Sequence, residues 1–150
     1  MAYSDFTLKE VTNRFELHTE EKPDVFSEVP EGEVSALLQS LLQVYVPLAL
    51  AIHTEKARSE FMIAPLLAEV LTHAPRPVSL FSGVDFSVDH SISNLFGVAT
   101  TSSLWQFLKL RGKTMTIDRR EYHIERIAKI VGILMWMICT VEDALVQSEI

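Results

Sequence analysis

Leu104-Trp105-Gln106-Phe107-Leu108-Lys109-Leu110, then Arg111-Gly112-Lys113, then Thr114-Met115-Thr116-Ile117 is the stretch that decides the fold. An aromatic- and leucine-rich run, a short glycine-centred break and a second run with β-branched members have the form of two strands joined as a hairpin. Upstream, Leu95 to Thr100 reads as another strand. So does Val78 to Val88, where small or polar residues alternate with apolar ones in the second half and Gly83 is a candidate bulge. An antiparallel meander is the simplest arrangement. Downstream, Asp118 followed by Glu121 resembles a capping box, so Asp118 is expected as an N-cap. A helix follows from Tyr122 to about Leu145, carrying Ile127, Ile130, Val131, Leu134, Met135 and Ile138.

Ahead of the strands the periodicity is helical. Asp5 to Phe15 places Phe6, Leu8, Val11 and Phe15 at helix-like spacings, with Thr7 positioned to cap. Glu16 to Gly32 is polar and acidic with Pro23 and Pro30, the composition of a loop or an arm laid across the domain, with room for a short strand at Asp24 to Phe26. Glu33 to Ile52 repeats apolar residues three and four apart, and Pro47 is expected to kink or end that helix. Thr54 caps the next, with Glu55 in its first turn. Phe61, Ala64, Leu67, Ala68 and Leu71 form its stripe, and Pro65 interrupts it. The reading is one α+β domain: a small mainly antiparallel sheet of about four strands, three longer helices and a short N-terminal one. Residues 1–32 supply the first helix and the arm, and residues 33–150 the core.

Composition narrows the function. A chain of 150 residues, 48% hydrophobic, buries a core without staples. Thirteen basic against twenty acidic side chains give a net charge of −7, which disfavours nucleic acid as a partner. The single cysteine, Cys139, lies in an apolar run, so no disulfide forms and a reducing, cytoplasmic setting is expected. Met1-Ala2-Tyr3-Ser4-Asp5 lacks the features of a signal peptide. The most apolar run, Ile130 to Val141, falls short of the roughly 20 residues that span a bilayer, so no membrane is expected as a partner.

Two blocks resemble a specific family. One spans Pro47 to Asp89 and includes Pro47-Leu48-Ala49-Leu50-Ala51-Ile52, Thr54-Glu55-Lys56-Ala57-Arg58-Ser59-Glu60-Phe61, Ile63-Ala64-Pro65 and Leu80-Phe81-Ser82-Gly83-Val84-Asp85-Phe86-Ser87-Val88-Asp89. The other runs from Phe96-Gly97-Val98-Ala99-Thr100-Thr101 through Trp105-Gln106-Phe107-Leu108-Lys109-Leu110 to Ile130-Val131-Gly132-Ile133-Leu134. With Tyr3-Ser4-Asp5-Phe6-Thr7-Leu8, they are similar to small bacterial proteins related to the PD-(D/E)XK restriction-endonuclease-like nucleases. The resemblance implies a reduced fold of that kind. The full-length relatives carry an Asp and then Glu-x-Lys in a central stretch. Here only His90-Ser91-Ile92-Ser93-Asn94 occupies that place, too little for two strands and a crossover helix.

That chemistry needs carboxylates from separate elements to hold Mg²⁺ and a lysine to assist the water. Glu20-Glu21-Lys22 is the chain's only Glu-x-Lys, but it lies in the polar N-terminal segment and precedes Asp24. Glu60, Asp85 and Asp89 are remnant acidic residues; Glu60 is expected to pair with Lys56 at i, i+4. Glu121, His123 and Glu125 alternate, but on a helix residues two apart diverge, so no shared ion is expected. His53, His73 and His90 read as surface or capping residues. No catalytic or metal site and no cofactor are expected. Trp105, Phe107, Lys109, Arg111 and Lys113 share one face of a regular strand and form a candidate nucleic-acid face, although core packing of the two aromatics is the favoured reading. The leading expectation is a catalytically inactive interaction protein, as a homo-oligomer or with a protein partner. The alternatives are a non-cutting nucleic-acid binder using Trp105, Lys109, Arg111 and Lys113, or a metal-dependent nuclease rebuilt across a dimer from Glu60, Asp85 and Asp89.

Overall fold

The computed structural model describes residues 8–80 and 94–147. Helix α1 (Leu8–Arg14) leads into strand β1 (His18–Lys22), and an irregular arm follows to Ser35. Next come α2 (Ala36–Ile52), α3 (Glu55–Arg58), a π-helical turn (Ser59–Ile63) and α4 (Ala64–His73). Strands β2 (Asn94–Thr100), β3 (Leu104–Arg111) and β4 (Thr114–His123) then precede a short 3₁₀ turn (Ile124–Arg126) and α5 (Ile127–Gln147). With α3, the π turn and α4 counted as one interrupted helix, the architecture is α+β: four helices and a four-stranded mixed sheet.

The sheet order is β1-β4-β3-β2, so β1 and β2 are its edges. β2, β3 and β4 form the expected antiparallel meander, and β1 adds in parallel beside β4 with His18 opposite Thr114 and Lys22 opposite Asp118. The β3–β4 hairpin turns at Gly112, whose φ of 57° is open to glycine and strained for other residues. The expected strand at Asp24 to Phe26 is instead at His18–Lys22. Five exposed residues, three of them charged, show no alternation to reveal it. Of the strand expected over Val78 to Val88, Val78 to Leu80 are irregular, while Gly83, Asp85 and Asp89 lie outside the described residues, as do Phe6, Thr7 and His90.

Asp118 is a correction. It sits within β4, fully buried, rather than at a helix N-cap, and α5 starts at Ile127 instead of Tyr122. Between Gln106 and Leu108 the β3–β4 register shifts, since Gln106 faces Glu121 and Leu108 faces Ile117. Extra β4 residues bulge there, and the Asp118 carboxylate accepts the Arg120 backbone N–H at 3.0 Å. An aspartate bonding the amide two residues on is the local chemistry of an N-cap transferred to a bulge. Asp118 therefore reads alike in both settings.

Neither proline expected to disturb a helix ends one. α2 runs through Pro47 to Ile52 and ends at His53 in the left-handed region, so the proline neither ends nor shortens it. Pro65 lies in the first turn of α4, directly after the π turn, where the wider winding accommodates the missing N–H and the ring. Thr54 caps α3 as expected, its Oγ1 accepting from Ala57 N at 3.1 Å.

The core lies between one sheet face and the helices. Phe26, from the arm, meets Phe107 and Trp136 edge-on at 5.7 Å centroid separations; Phe107 meets Tyr122, and Phe96 meets Trp136, both at 5.6 Å. The arm is pinned onto α5 by backbone contact. Gly32 N donates to the Ala128 carbonyl at 2.7 Å, and a Cβ on Gly132 would collide with the Pro30 carbonyl. Buried Lys129 donates its Nζ to the carbonyls of Ser27 and Val29, so its charge closes the same crossing.

Candidate functional site

The residues singled out by sequence do not converge. Glu60 is exposed on the π turn and pairs with Lys56 at 3.8 Å, the solvated i, i+4 pair expected of it. Asp85 and Asp89 lie outside the described residues. Trp105 and Phe107 point into the core; the Trp105 indole N–H donates to the Ser102 carbonyl at 3.0 Å. Neither ring is available to stack on a base. Lys109 lies over the Phe96 ring at 5.8 Å, Arg111 is exposed, and Lys113 is tied to Glu16 at 2.8 Å, an ion pair that draws the Glu16 carboxyl below its ordinary range. The aromatic half of the row is interior and the basic half marginal.

Glu20 and Lys22 share a face of β1 and pair at 3.3 Å, while Thr116 Oγ1 donates to Glu20 at 2.6 Å and lowers its carboxyl pKa. Asp24 is bound elsewhere, 2.5 Å from Arg120, and also accepts from the Tyr122 hydroxyl, which is shared with Asp118. Burial, then the charges of Asp118 and Asp24, push the Tyr122 phenol above its ordinary range, so it stays a donor to both carboxylates. This cluster closes the sheet against the arm. Glu121 and His123 belong to β4 rather than a helix and share one of its faces, both exposed, and His123 Nδ1 accepts from Glu125 N. Among the described residues, no three His, Cys, Asp or Glu side chains are grouped to hold a metal ion.

The unusual surface is α2. From Ala36 to Ile52 it carries no charged residue and buries only Leu38, Leu42 and Ala49. Its N-terminus is fixed: Ser35 Oγ accepts from Leu38 N, and Glu69 accepts from Ser35 N at 2.6 Å and Ser35 Oγ at 2.9 Å. The helix is therefore held in one rotation against α4. In that rotation Leu37 is 70% exposed, Val44 64%, Leu48 40% and Ile52 46%. With Leu41 and Ala51 these residues fall within roughly 100° of helical arc, beside the buried stripe of Leu38, Leu42 and Ala49. Gln39, Ser40, Gln43 and Pro47, with the exposed Leu50 among them, make the remaining side.

Thus α2 has two apolar stripes, one used by the chain's own core. Sequence reading found the helix and missed the second stripe, although the absence of charge over 17 residues was its signal. No protein-family model matches the chain, and no curated protein or solved structure is significantly similar to it. None of these comparisons ties the chain to the PD-(D/E)XK nucleases; that resemblance rests on the sequence blocks quoted above. No helix among the described residues is long and apolar enough to cross a membrane.

Proposed function

We propose that the protein works by association rather than catalysis, as a homodimer formed when the free stripe of α2 packs antiparallel on the same stripe of a second copy. The observation that carries this reading is the uncharged, exposed row Leu37, Val44, Leu48 and Ile52 on a helix whose rotation is fixed. A two-fold interface must be complementary to itself, and an apolar row three and four apart satisfies this by interdigitation. Charge supports the same occupant. At a net −7, two copies repel over most of their surfaces, and α2 itself brings no charge to the pairing. Antiparallel pairing also sets opposite helix-dipole ends together.

α2 is about 25 Å long, so one such pair gives a modest interface and a reversible, concentration-dependent dimer. The reading accords with a pared-down nuclease-like scaffold that has kept binding and given up cutting. Sedimentation equilibrium tests it: a monomer–dimer transition is expected at micromolar to sub-millimolar concentration, shifted to monomer by combined Val44→Lys and Leu48→Lys. A wild-type chain that remains monomeric up to about 500 µM would overturn it.

A further inference from the structure

A second feature lies where the α2–α3 junction meets the β2–β3 turn. A cleft of about 590 Å³ opens there, lined by His53, Glu55, Arg58, Thr100, Thr101 and Ser102 among others. Arg58 spans it, one guanidinium nitrogen donating to the Thr101 carbonyl at 3.0 Å and the other 3.1 Å from His53 Nδ1. Arginine has no acceptor, so in this pair Nδ1 accepts, which leaves Nε2 as the ring's donor toward the cleft's other groups. Ser102 is 1% exposed, and its Oγ is a buried side-chain oxygen without a hydrogen-bond partner, the one such atom among the described residues. Its backbone is fully engaged: the N–H donates to Thr100 Oγ1 and the carbonyl accepts from Trp105.

Left-handed backbone also gathers here. His53 at φ 59° and Ser102 at φ 73° are two of the three non-glycine residues with positive φ among those described. Ser102 thus combines a strained backbone with an unsatisfied hydroxyl, although glycine would remove both penalties. Ser102 lines the cleft, and rotation about its Cα–Cβ bond offers Oγ other staggered positions.

We propose that this cleft binds a small, singly charged oxyanion, most simply the carboxylate of a small organic acid. The remaining N–H groups of Arg58, the Nε2–H of His53 and the Ser102 hydroxyl supply donors to its two oxygens. Glu55, the acidic residue of the lining, opposes a second negative charge and sets a preference for carboxylate over phosphate dianion.

The test is a ¹H–¹⁵N NMR titration of the full chain with sodium acetate and, separately, inorganic phosphate, at constant ionic strength. Acetate is expected to give saturable shifts at Arg58, Thr101 and Ser102, with phosphate weaker. Ser102→Gly is expected to melt no lower than wild type yet bind acetate about five-fold more weakly, and Arg58→Gln to lose about ten-fold or more. The Val44→Lys, Leu48→Lys protein should bind acetate unchanged, which separates this site from dimerisation. Absence of saturable shifts in the wild type, or undiminished affinity in Ser102→Gly, would overturn the proposal.

Discussion

α2 and α5 are the two long apolar helices of the molecule, and they are used in opposite ways. α5 buries Ile130, Val131, Ile133 and Met137 and receives the arm at Gly132, while its Leu134, Ile138 and Val141 line an open apolar groove beside α4 and β2. α2 buries three residues and leaves a full stripe in solvent. Similar apolar content thus corresponds to one helix that completes the core and one that exceeds what the core can cover. Among the described residues, the surplus on α2 is an apolar row that the chain's own core leaves uncovered.

The largest effect that can sharpen this contrast belongs to the α5 crossing. Gly132→Ala places a methyl against the Pro30 carbonyl and the Gly32 backbone, neither of which is a flexible side-chain end. A loss of about 3 kcal/mol or more is expected in urea unfolding. A loss below about 1 kcal/mol would show that the arm is not packed backbone to backbone on α5. Exposed α2 substitutions should contrast sharply, with Val44→Lys changing the stability of the dilute monomer by no more than about 0.5 kcal/mol.

Next is the anchor that fixes the rotation of α2. Burial raises the Glu69 carboxyl, but bonds from Ser35 N–H, Ser35 hydroxyl and His73 outweigh it, and the pKa lies below the ordinary glutamate value. A depressed carboxyl adds stability above the unfolded-state pKa and loses it as pH falls through the folded-state value. Stability should therefore fall on acidification below about pH 4.5, and Glu69→Gln should flatten that dependence. Equal acid sensitivity in both proteins would show that this bond does not hold α2. The smallest effect is at Glu60, where Glu60→Gln should change stability by no more than a few tenths of a kcal/mol, because its pair with Lys56 is solvated.

How much of this was legible in sequence follows from the physical range of each signal. The β3–β4 hairpin and the Thr54 cap are written in nearby residues and read correctly; of the α5 stripe, Ile130 and Val131 are buried as expected, while the buried Ile133 and Met137 lie outside it. β1 did not read as a strand, because an exposed parallel edge needs no alternation. Asp118 was misplaced because the same side-chain-to-amide bond caps helices and closes bulges. The second stripe of α2 was visible as missing charge, but which side of the helix faces solvent depends on Glu69, distant in sequence from Ser35. The cleft was illegible for the same reason: Arg58 and Thr101 are 43 residues apart and neither is unusual locally.

The central claim is the seating of a second copy on α2, and cysteine cross-linking tests it most directly. In antiparallel pairing about the middle of the stripe, residue 44 faces its own counterpart, whereas the two copies of residue 37 lie about 20 Å apart. In a Cys139→Ala background, Val44→Cys is expected to form a disulfide-linked dimer under mild oxidation, because facing Cα atoms fall within the roughly 7 Å that a disulfide spans, and Leu37→Cys is not. Equal cross-linking at both positions, or none at residue 44, would contradict the account.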